Sequence, residues 1–350
     1  GVGHAFVGGG DIGQRVQDQK MGYLGADFEP APNGRAYRIT KLLPGDGFEL
    51  DQRSPLLLPG LNVKVGDYIV AIEGQPVRTD LSIQALLIGT AGRMISVSIN
   101  NSPELTGARV VHIVPVASEY RMRYFDWVAR KRAYVLTHGG PEIGYVHMPN
   151  MVEGGGMKEF DKHYYAQNLT CTGMIYDVRN NTGGYISALI LNQIASRPYT
   201  WFKPRNGASW TREDFSFGGY SAALCNENSM SNAEEFADGF ERLKIGPVIG
   251  VRTWGGEVGS GDGYPLIDGG EIYIPNYGAW TDSDKWIIEG RGVKPDIKVE
   301  NDPASRLAGK DLQLDAAIAV IKKELARHPI LPESAPPFPV ATPLHFGTKR

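Results

Sequence analysis

The sequence has little that would indicate a membrane protein, a nucleic-acid-binding protein or a disulfide-rich scaffold. It contains only two cysteines, Cys171 and Cys225, each inside an apolar strand-like run. Their wide separation and the lack of metal-type spacing predict buried free thiols rather than a disulfide or a zinc site. No apolar run approaches the ~20 residues of a membrane helix. No block of like charges accompanies the net charge of −3, so we expect neither a nucleic acid nor a membrane as partner.

Turn-forming residues are abundant, and 44 glycines and 23 prolines divide the 350-residue chain into short segments. From about residue 19 to 118 the segments are β-branched and partly alternating, which is typical of strands. From about 119 to 328 strands alternate with helices, which predicts an α/β fold with a largely parallel sheet. The Pro-rich residues 329–350 predict an extended tail.

The β-rich segment contains "MGYLGADF" (21–28) upstream of "LNVKVGDYIVAIEGQPV" (61–77). This combination resembles a PDZ domain, in which a glycine-containing loop offers backbone N–H groups to the terminal carboxylate of a peptide. The corresponding loop residues here are Gly22, Tyr23, Leu24 and Gly25. The alternative interpretation is a small β-barrel without a ligand.

Ser231 lies where an apolar strand (220–227) gives way to a predicted helix (about 231–243). Ser231 and Glu234 have the spacing of a capping box, which is enough to explain the serine. Many hydrolases also place their nucleophile between a buried strand and a helix N-terminus, because the helix end favours negative charge. The local sequence leaves both interpretations open, since a reactive serine needs a base.

Two of the seven histidines are candidates for that base. His4 lies in "GHAFVGGGD" and His138 in "LTHGG", and spacing does not choose between them. A second glycine-rich turn, "DVRNNTGGY" (177–185), follows a buried strand. Its backbone N–H groups would suit an anion, including a transient oxyanion, although an ordinary strand-to-helix turn would have the same pattern.

Eight segments together resemble the tricorn protease family, the tricorn-type relatives of the C-terminal (tail-specific) processing peptidases. In order along the chain they are "HAFVGGGD", "GYLGADFE", "RSPLLLPGLNVKVGDYIVAIEGQPV", "EIGYVHMPNM", "DVRNNTGG", "NENSMSNAEEF", "GVRTWGGEVG" and "WIIEGRGVKPDIKVENDP". The resemblance runs from residue 4 to about 330. It implies a crotonase-like (ClpP/crotonase-type) α/β catalytic domain with an inserted or preceding PDZ-like β domain. The implied divisions are 1–18 for a remnant of the first catalytic subdomain that carries the base, 19–118 for the PDZ-like domain, 119–328 for the domain with the serine and 329–350 for the tail.

The resemblance also implies roles for individual residues. His4 corresponds to the base, Ser231 to the nucleophile and Glu289 to the supporting carboxylate. The oxyanion donors would be the backbone N–H of Asn232 and that of Gly183 or Gly184, which stay alternatives. No metal or organic cofactor is implied.

The sequence departs from the related Ser–Lys peptidases in one loop, and from the tricorn pattern at three residues. A Ser–Lys mechanism is not expected, because the loop 253–259 has no lysine and Lys244 comes too early. Gly3 stands where the tricorn pattern has a serine that links the histidine to the glutamate. Asn232 replaces the usual Gly or Asp, and Thr182 replaces a glycine in the oxyanion loop.

The expected function is that of a serine endopeptidase that cleaves unfolded proteins or short peptides through an acyl-enzyme. The alternative is a PDZ-type peptide-binding protein with an inactive protease half, which Gly3 would favour. The resemblance further implies a homo-oligomer, a cytoplasmic location with a periplasmic or secreted one as the alternative, and additional sequence upstream of residue 1.

Overall fold

The computed structural model describes residues 4–10, 20–49, 52–211, 216–259, 261, 263–282, 285–330 and 334–339. The chain divides into a smaller unit, residues 11–133, and a larger unit that combines residues 1–10 with residues 134–350. The domain limits predicted from the sequence stay predictions. Residues 11–18 and most of the tail lie outside the described residues, as does Gly3.

The first strand, β1 (Phe6–Gly9), belongs to the larger unit, and the next six strands form the smaller one. These are β2 (Ala26–Pro30), β3 (Tyr37–Leu42), β4 (Tyr68–Ile72), β5 (Gln75–Pro76), β6 (Ile95–Asn100) and β7 (Arg109–Ile113). They pair antiparallel in the order β2-β3-β4-β6-β7, and β5 pairs with β4. The strands predicted for this region are therefore confirmed.

Alternation in the sequence explains the core of the smaller unit. In β6, Ile95, Val97 and Ile99 are buried, while the serines between them are half-buried. Successive side chains of a strand point to opposite faces, so one face of the sheet supplies the apolar residues. Two 3-10 turns, Pro55–Leu57 and Ile83–Leu87, add buried side chains to this core.

The larger unit is built around a parallel five-stranded sheet. Its strands are β8 (Ile143–His147), β9 (Gly173–Asp177), β12 (Tyr220–Cys225), β13 (Val248–Gly250) and β16 (Ile297–Lys298), in the order β16-β13-β12-β9-β8. Every pair is parallel. Two antiparallel groups accompany it: the hairpin of β10 (Trp201–Phe202) with β11 (Trp210–Thr211), and a sheet in which β15 (Gly270–Tyr273) lies between β1 and β14 (Tyr264–Pro265).

Helices precede, connect and follow the strands of the parallel sheet. They are α1 (Tyr120–Gly139), which begins in the smaller unit, α2 (Lys158–Tyr164), α3 (Ser187–Ala195), α4 (Asn232–Arg242), α5 (Pro303–Leu307) and α6 (Leu312–Arg327). Phe236 and Phe240 of α4 are fully buried in the main core together with Ile190 of α3, and α6 packs against β9, β12 and β13. The predicted alternation of strands and helices is confirmed. Among the described residues, no helix is long and apolar enough to cross a membrane.

Candidate active site

Loops that follow the carboxyl ends of the parallel strands meet at one edge of the sheet. Ligands of open α/β sheets bind at this edge, because the loops there converge and the strands hold them rigidly. Met230 N–H, after β12, donates to the Asn181 carbonyl after β9 (3.0 Å), and Trp254 N–H, after β13, donates to the Ser229 carbonyl (3.1 Å). Three of the predicted motifs are therefore joined by backbone hydrogen bonds.

Ser231 occupies a strained position in this cluster of loops. It is the residue before α4 and has φ 53° and ψ −126°, a region that is essentially confined to glycine and that clusters at functional sites in other residues. A nucleophile held on a sharp strand-to-helix turn has this kind of strain. Ser231 as a residue is half-buried, so solvent reaches part of it.

The neighbouring Ser229 has a structural role. Its hydroxyl is fully buried, donates to the Val178 carbonyl (2.8 Å) and accepts from Asn226 N–H (3.0 Å). The first hydrogen bond holds the loop after β12 to the end of β9, and the second closes that loop on itself. Of the two serines in this segment, Ser231 is the one available for chemistry.

The predicted capping box is present at the start of α4. The Glu234 carboxylate accepts from Ser231 N–H at 3.1 Å. The Glu234 N–H lies near the Ser231 hydroxyl, but its short hydrogen bond is to the Ser231 carbonyl, at 2.7 Å. The capping residue and the candidate nucleophile are thus the same residue. Capping requires the Ser231 hydroxyl only as an acceptor, so its proton stays available for donation.

Glu234 has a second role that the sequence did not indicate. Its fully buried carboxylate also accepts from Thr253 Oγ1 (2.5 Å), Gly255 N–H (2.6 Å) and Gly256 N–H (2.9 Å). Burial raises the pKa of this carboxyl, and these hydrogen bonds oppose the rise without cancelling it. Glu234 therefore ties the loop after β13 to the helix that begins at the serine.

The glycine-rich turn after β9 lies directly against Ser231. A Cβ atom added to Gly183 would be 2.7 Å from the Ser231 Cβ and 3.3 Å from its hydroxyl oxygen. Gly183 has φ 84° and Gly184 has φ 146°, so both need the freedom of glycine. Only glycine therefore lets this turn approach the serine so closely.

The N–H groups in this turn differ in what they bind. Gly183 N–H donates to Asn181 Oδ1 at 2.9 Å. The N–H groups of Gly184 and Asn232 have no hydrogen-bond acceptor in the part of the chain that the structure describes. Asn232 is the first residue of α4, where the N–H lacks an intrahelical partner.

A buried ion-pair network stabilises the start of the glycine-rich turn after β9. Arg179 pairs with Asp177 (2.6 Å) at the end of β9 and with Asp311 (2.9 Å), the residue before α6. Burial opposes ionisation of Asp177, but Arg179 outweighs this effect and holds the pKa of Asp177 below its usual range. Such a desolvated, fully bonded pair fixes the backbone that follows it.

His4 lies in the larger unit, half-buried, immediately before β1. Its ring meets that of Trp254 edge-on, with 5.7 Å between centroids, and Trp254 is the residue whose N–H binds the Ser229 carbonyl. The Nδ1 atom of His4 is buried and has no hydrogen-bond partner among the described residues. His4 is therefore placed beside the loop that adjoins the serine.

The other histidines have different environments. His138 lies in the last turn of α1, not in the glycine-rich loop that the sequence suggested, with its ring stacked on Tyr134 and its Nδ1 2.8 Å from the Tyr134 carbonyl. His147 is buried, and its Nε2–H donates to the Arg179 carbonyl (3.0 Å). Burial lowers the pKa of His147. Both rings are engaged in local structure.

The Glu289 carboxylate is held by backbone. Its Oε2 accepts from Glu257 N–H (2.7 Å) and Val258 N–H (2.9 Å). These residues continue the loop that carries Trp254, so Glu289 and His4 both contact this one loop. The supporting role of Glu289 toward His4 stays a prediction.

The smaller unit contains the second predicted binding loop. Gly22 N–H donates to the Leu87 carbonyl (2.9 Å) and Tyr23 N–H to the Val116 carbonyl (2.8 Å). Gly25 has φ 61°, and the backbone of Ser54 would lie 2.8 Å from a Cβ at this position. Two of the four predicted residues, Gly22 and Tyr23, therefore use their N–H groups inside the unit, and the peptide-binding role of the loop stays a prediction.

The two cysteines are free thiols, as predicted, but only Cys225 is buried as expected, whereas Cys171 is half-buried. Cys225 is buried at the end of β12, and its burial raises the pKa of the thiol to about 12. It is therefore protonated at neutral pH and inert as a nucleophile.

Comparison with known proteins agrees with this arrangement. Residues 22–118 match the model of the tricorn protease PDZ domain, and residues 142–299 match that of peptidase family S41. These matches define a domain of peptidase family S41 joined to a PDZ domain. More particularly, the chain belongs to the tricorn protease family.

Individual relatives show the same correspondence over nearly the whole chain. Tricorn protease homolog 1 of Streptomyces coelicolor is 37% identical over 94% of this chain and 30% of its own length. The tricorn protease of Thermoplasma volcanium is 31% identical over 93% of this chain and 31% of its own. The crystal structure of the tricorn protease superimposes with a TM-score of 0.85 at 30% identity, over 93% of this chain and 31% of that one. The chain therefore spans about a third of the length of these relatives.

Proposed function

We propose that this chain hydrolyses peptide bonds of unfolded proteins or oligopeptides through an acyl-enzyme on Ser231. The observation that carries the proposal is the strained backbone of Ser231 at the N-terminus of α4, with the Gly183 turn against its side chain. In this arrangement the hydroxyl faces a position where a carbonyl oxygen can meet backbone N–H groups.

The reaction begins when the Ser231 hydroxyl attacks the scissile carbonyl and His4 takes its proton. The tetrahedral oxyanion then accepts hydrogen bonds from Asn232 N–H and from the turn after β9. Of the two glycines, Gly184 is the better donor, because its N–H is unused in the described part of the chain while that of Gly183 is bound to Asn181. His4 returns the proton to the leaving amine, and water releases the acyl group.

Glu289 supports the imidazolium in this proposal. The unpartnered Nδ1 of His4 indicates that this support is not a direct hydrogen bond to that atom, so we assign it to a bridging water or to substrate-induced closure. The expected result of weaker direct support is a lower rate, because an imidazole without an orienting partner is less well held.

The remaining assignments extend the family resemblance. We propose a crotonase-like classification for the larger unit, supported by its parallel sheet and the covering helices. The domain limits after residues 18, 118 and 328, assembly as a homo-oligomer and a cytoplasmic location are likewise proposals, and they rest on the resemblance.

Labelling of the intact protein with a fluorophosphonate tests the central assignment. We expect one adduct, located on Ser231 by peptide mass spectrometry, and its loss in Ser231→Ala. His4→Ala should slow labelling by at least about 10³-fold, the scale on which catalytic triads fail without their base. Ser196→Ala, an exposed serine after α3, is the matched control and should label normally. An adduct elsewhere, or labelling indifferent to His4, would contradict the assignment.

The second candidate function is peptide binding by a PDZ-type protein with an inactive protease half. The unpartnered His4 Nδ1 is the observation that favours it. A fluorogenic-peptide assay on the wild type and on Ser231→Ala distinguishes the two, because equal background rates would indicate binding without cleavage.

A further inference from the structure

The side chain of Asn232 is clamped by three hydrogen bonds. Its Oδ1 accepts from Ser187 N–H (2.8 Å), and its Nδ2 donates to Ser187 Oγ (2.8 Å) and to Glu235 Oε2 (2.6 Å). Ser187 Oγ also donates to Glu235 Oε2 (3.1 Å). Ser187 opens α3, directly after the glycine turn, so this clamp joins the two segments that supply the oxyanion donors.

A second carboxyl group closes the clamp from the loop after β13. Glu257 is only 5% exposed, and its carboxyl is hydrogen-bonded to that of Glu235. Two carboxylates have only acceptors, so such a contact requires a proton on one of them. Oε2 of Glu257 is buried and has no hydrogen-bond partner among the described residues, and a charged carboxylate in that position would be strongly unfavourable.

The charged groups with the largest effect on Glu257 are acidic. Two of them, Glu234 and Glu235, lie on α4. The third is Glu289, whose carboxylate accepts from the Glu257 N–H. Burial, the contact with Glu235 and these neighbouring charges raise the pKa of Glu257 far above its usual range. Glu257 is therefore the protonated member at neutral pH.

We propose that Glu235 and Glu257 form a proton-sharing pair of positioning residues, which holds Asn232 so that its N–H is aimed at the oxyanion. This inference rests on the proposed serine peptidase function. When the shared proton is lost, two carboxylates in contact repel each other, Glu235 withdraws from Asn232 and Ser187, and the oxyanion donors lose their alignment. The rate of acylation therefore falls at alkaline pH through kcat rather than KM.

Two readouts on four proteins test the pair. The proteins are the wild type, Glu257→Gln, Glu235→Gln and, as control, Glu241→Gln, which removes an equal charge from an exposed position of the same helix. Infrared spectra at pH 8 should show the carbonyl stretch of a protonated carboxylic acid in the wild type and control, and lack it in Glu257→Gln. This readout needs no catalytic activity.

The second readout is the pH profile of acylation. The wild type and Glu241→Gln should share an alkaline decline, which should shift upward by more than one pH unit in Glu257→Gln, because the amide has no proton to lose. Glu235→Gln should also reduce kcat by roughly tenfold, since the Asn232 clamp loses its carboxylate. An unchanged alkaline limb in Glu257→Gln, or an infrared band that survives that substitution, would overturn the pair. A wild type that never acylates would overturn the proposed function instead, and the infrared band would then decide the pair by itself.

Discussion

Two glycine-containing loops, one in each unit, share a sequence signal and differ in what their backbone does. In the smaller unit, the N–H groups of Gly22 and Tyr23 donate to carbonyls of the same unit, at 2.9 and 2.8 Å. In the larger unit, the N–H groups of Gly184 and Asn232 have no acceptor among the described residues. Asn232 is only 5% exposed, and buried N–H groups are rarely left unused, so a donor suited to an incoming anion lies at the start of α4.

The difference follows from the surroundings of each loop. The Gly22 loop runs beside other backbone segments and completes the local pairing. The Gly183 turn and the start of α4 follow the carboxyl ends of parallel strands, where the chain leaves the sheet and a helix begins with unpaired N–H groups. Glycine permits both outcomes, and the neighbouring backbone decides between them.

The largest expected effect comes from adding one methyl group to each loop. Gly183→Ala would place a Cβ 2.7 Å from the Ser231 Cβ at φ 84°, so Ser231 must shift. A displacement of about 1 Å costs roughly 10²-fold in rate, and we expect kcat for a fluorogenic peptide to fall by at least about that factor per folded molecule.

The matched change in the smaller unit is Gly25→Ala. Its Cβ would be 2.8 Å from the Ser54 backbone at φ 61°, which predicts a loss of about 1–3 kcal/mol in stability. We expect a lower Tm in scanning calorimetry and a kcat within about twofold of the wild type at a temperature where both are folded. A kcat lost equally in both variants would erase the contrast between the loops.

A smaller effect is expected on the pH dependence of stability, which should have opposite signs for a carboxyl group in each unit, Glu257 and Glu73. The folded-state pKa of Glu257 is raised from 4.5, by burial first and then by Glu235 and the other carboxylates. Its contribution to stability is therefore present below pH 4.5 and is lost as the pH rises toward the folded pKa. Glu257→Gln should raise Tm at pH 8 by roughly 2–4 °C for each kcal/mol recovered, and change it little at pH 4.

Glu73 in the smaller unit provides the opposite case. Ser96 N–H, and then Arg93, lower the pKa of this exposed carboxyl. Its contribution is present above the ordinary pKa and is lost as the pH falls. Glu73→Gln should therefore lower Tm slightly at pH 8 and leave it unchanged at strongly acidic pH. Calorimetric shifts of the same sign in both variants would contradict the assignment of the buried pair.

The smallest expected effect concerns the terminal carboxylate of a peptide bound to the PDZ-like unit. Because Gly22 and Tyr23 already use their N–H groups, only Leu24 and Gly25 can contribute. We expect peptides that end in a free acid and in an amide to differ by less than about threefold in Kd, measured by fluorescence anisotropy with Ser231→Ala to prevent cleavage. A difference above about tenfold would show that the loop opens to bind the carboxylate.

Much of this arrangement could be predicted from the sequence, because it depends on local patterns. The alternation of Ile95, Val97 and Ile99 predicts a strand with one buried face, and the capping box predicts the start of α4. The family motifs indicated Ser231 rather than Ser229 as the candidate nucleophile. In the structure, the Ser229 hydroxyl is already hydrogen-bonded to the Val178 carbonyl and to the Asn226 N–H.

The parts that the sequence did not indicate depend on contacts between distant segments. His138 is helical because α1 extends to Gly139, although "THGG" has the composition of a loop. Glu234 and Glu257 are ordinary acidic residues in sequence, and only folding buries them beside each other and beside Glu289. The choice between Gly183 and Gly184 likewise needed the hydrogen bond from Gly183 to Asn181.

The most direct test of the central claim is a crystal structure of the intact protein inactivated by a peptidyl phosphonate. We predict a covalent bond to Ser231 Oγ, with the phosphonyl oxygen about 2.7–3.1 Å from the N–H groups of Asn232 and Gly184 and His4 within hydrogen-bonding distance of Ser231 Oγ. An adduct whose oxygen points away from both N–H groups, or one formed on another residue, would contradict the account.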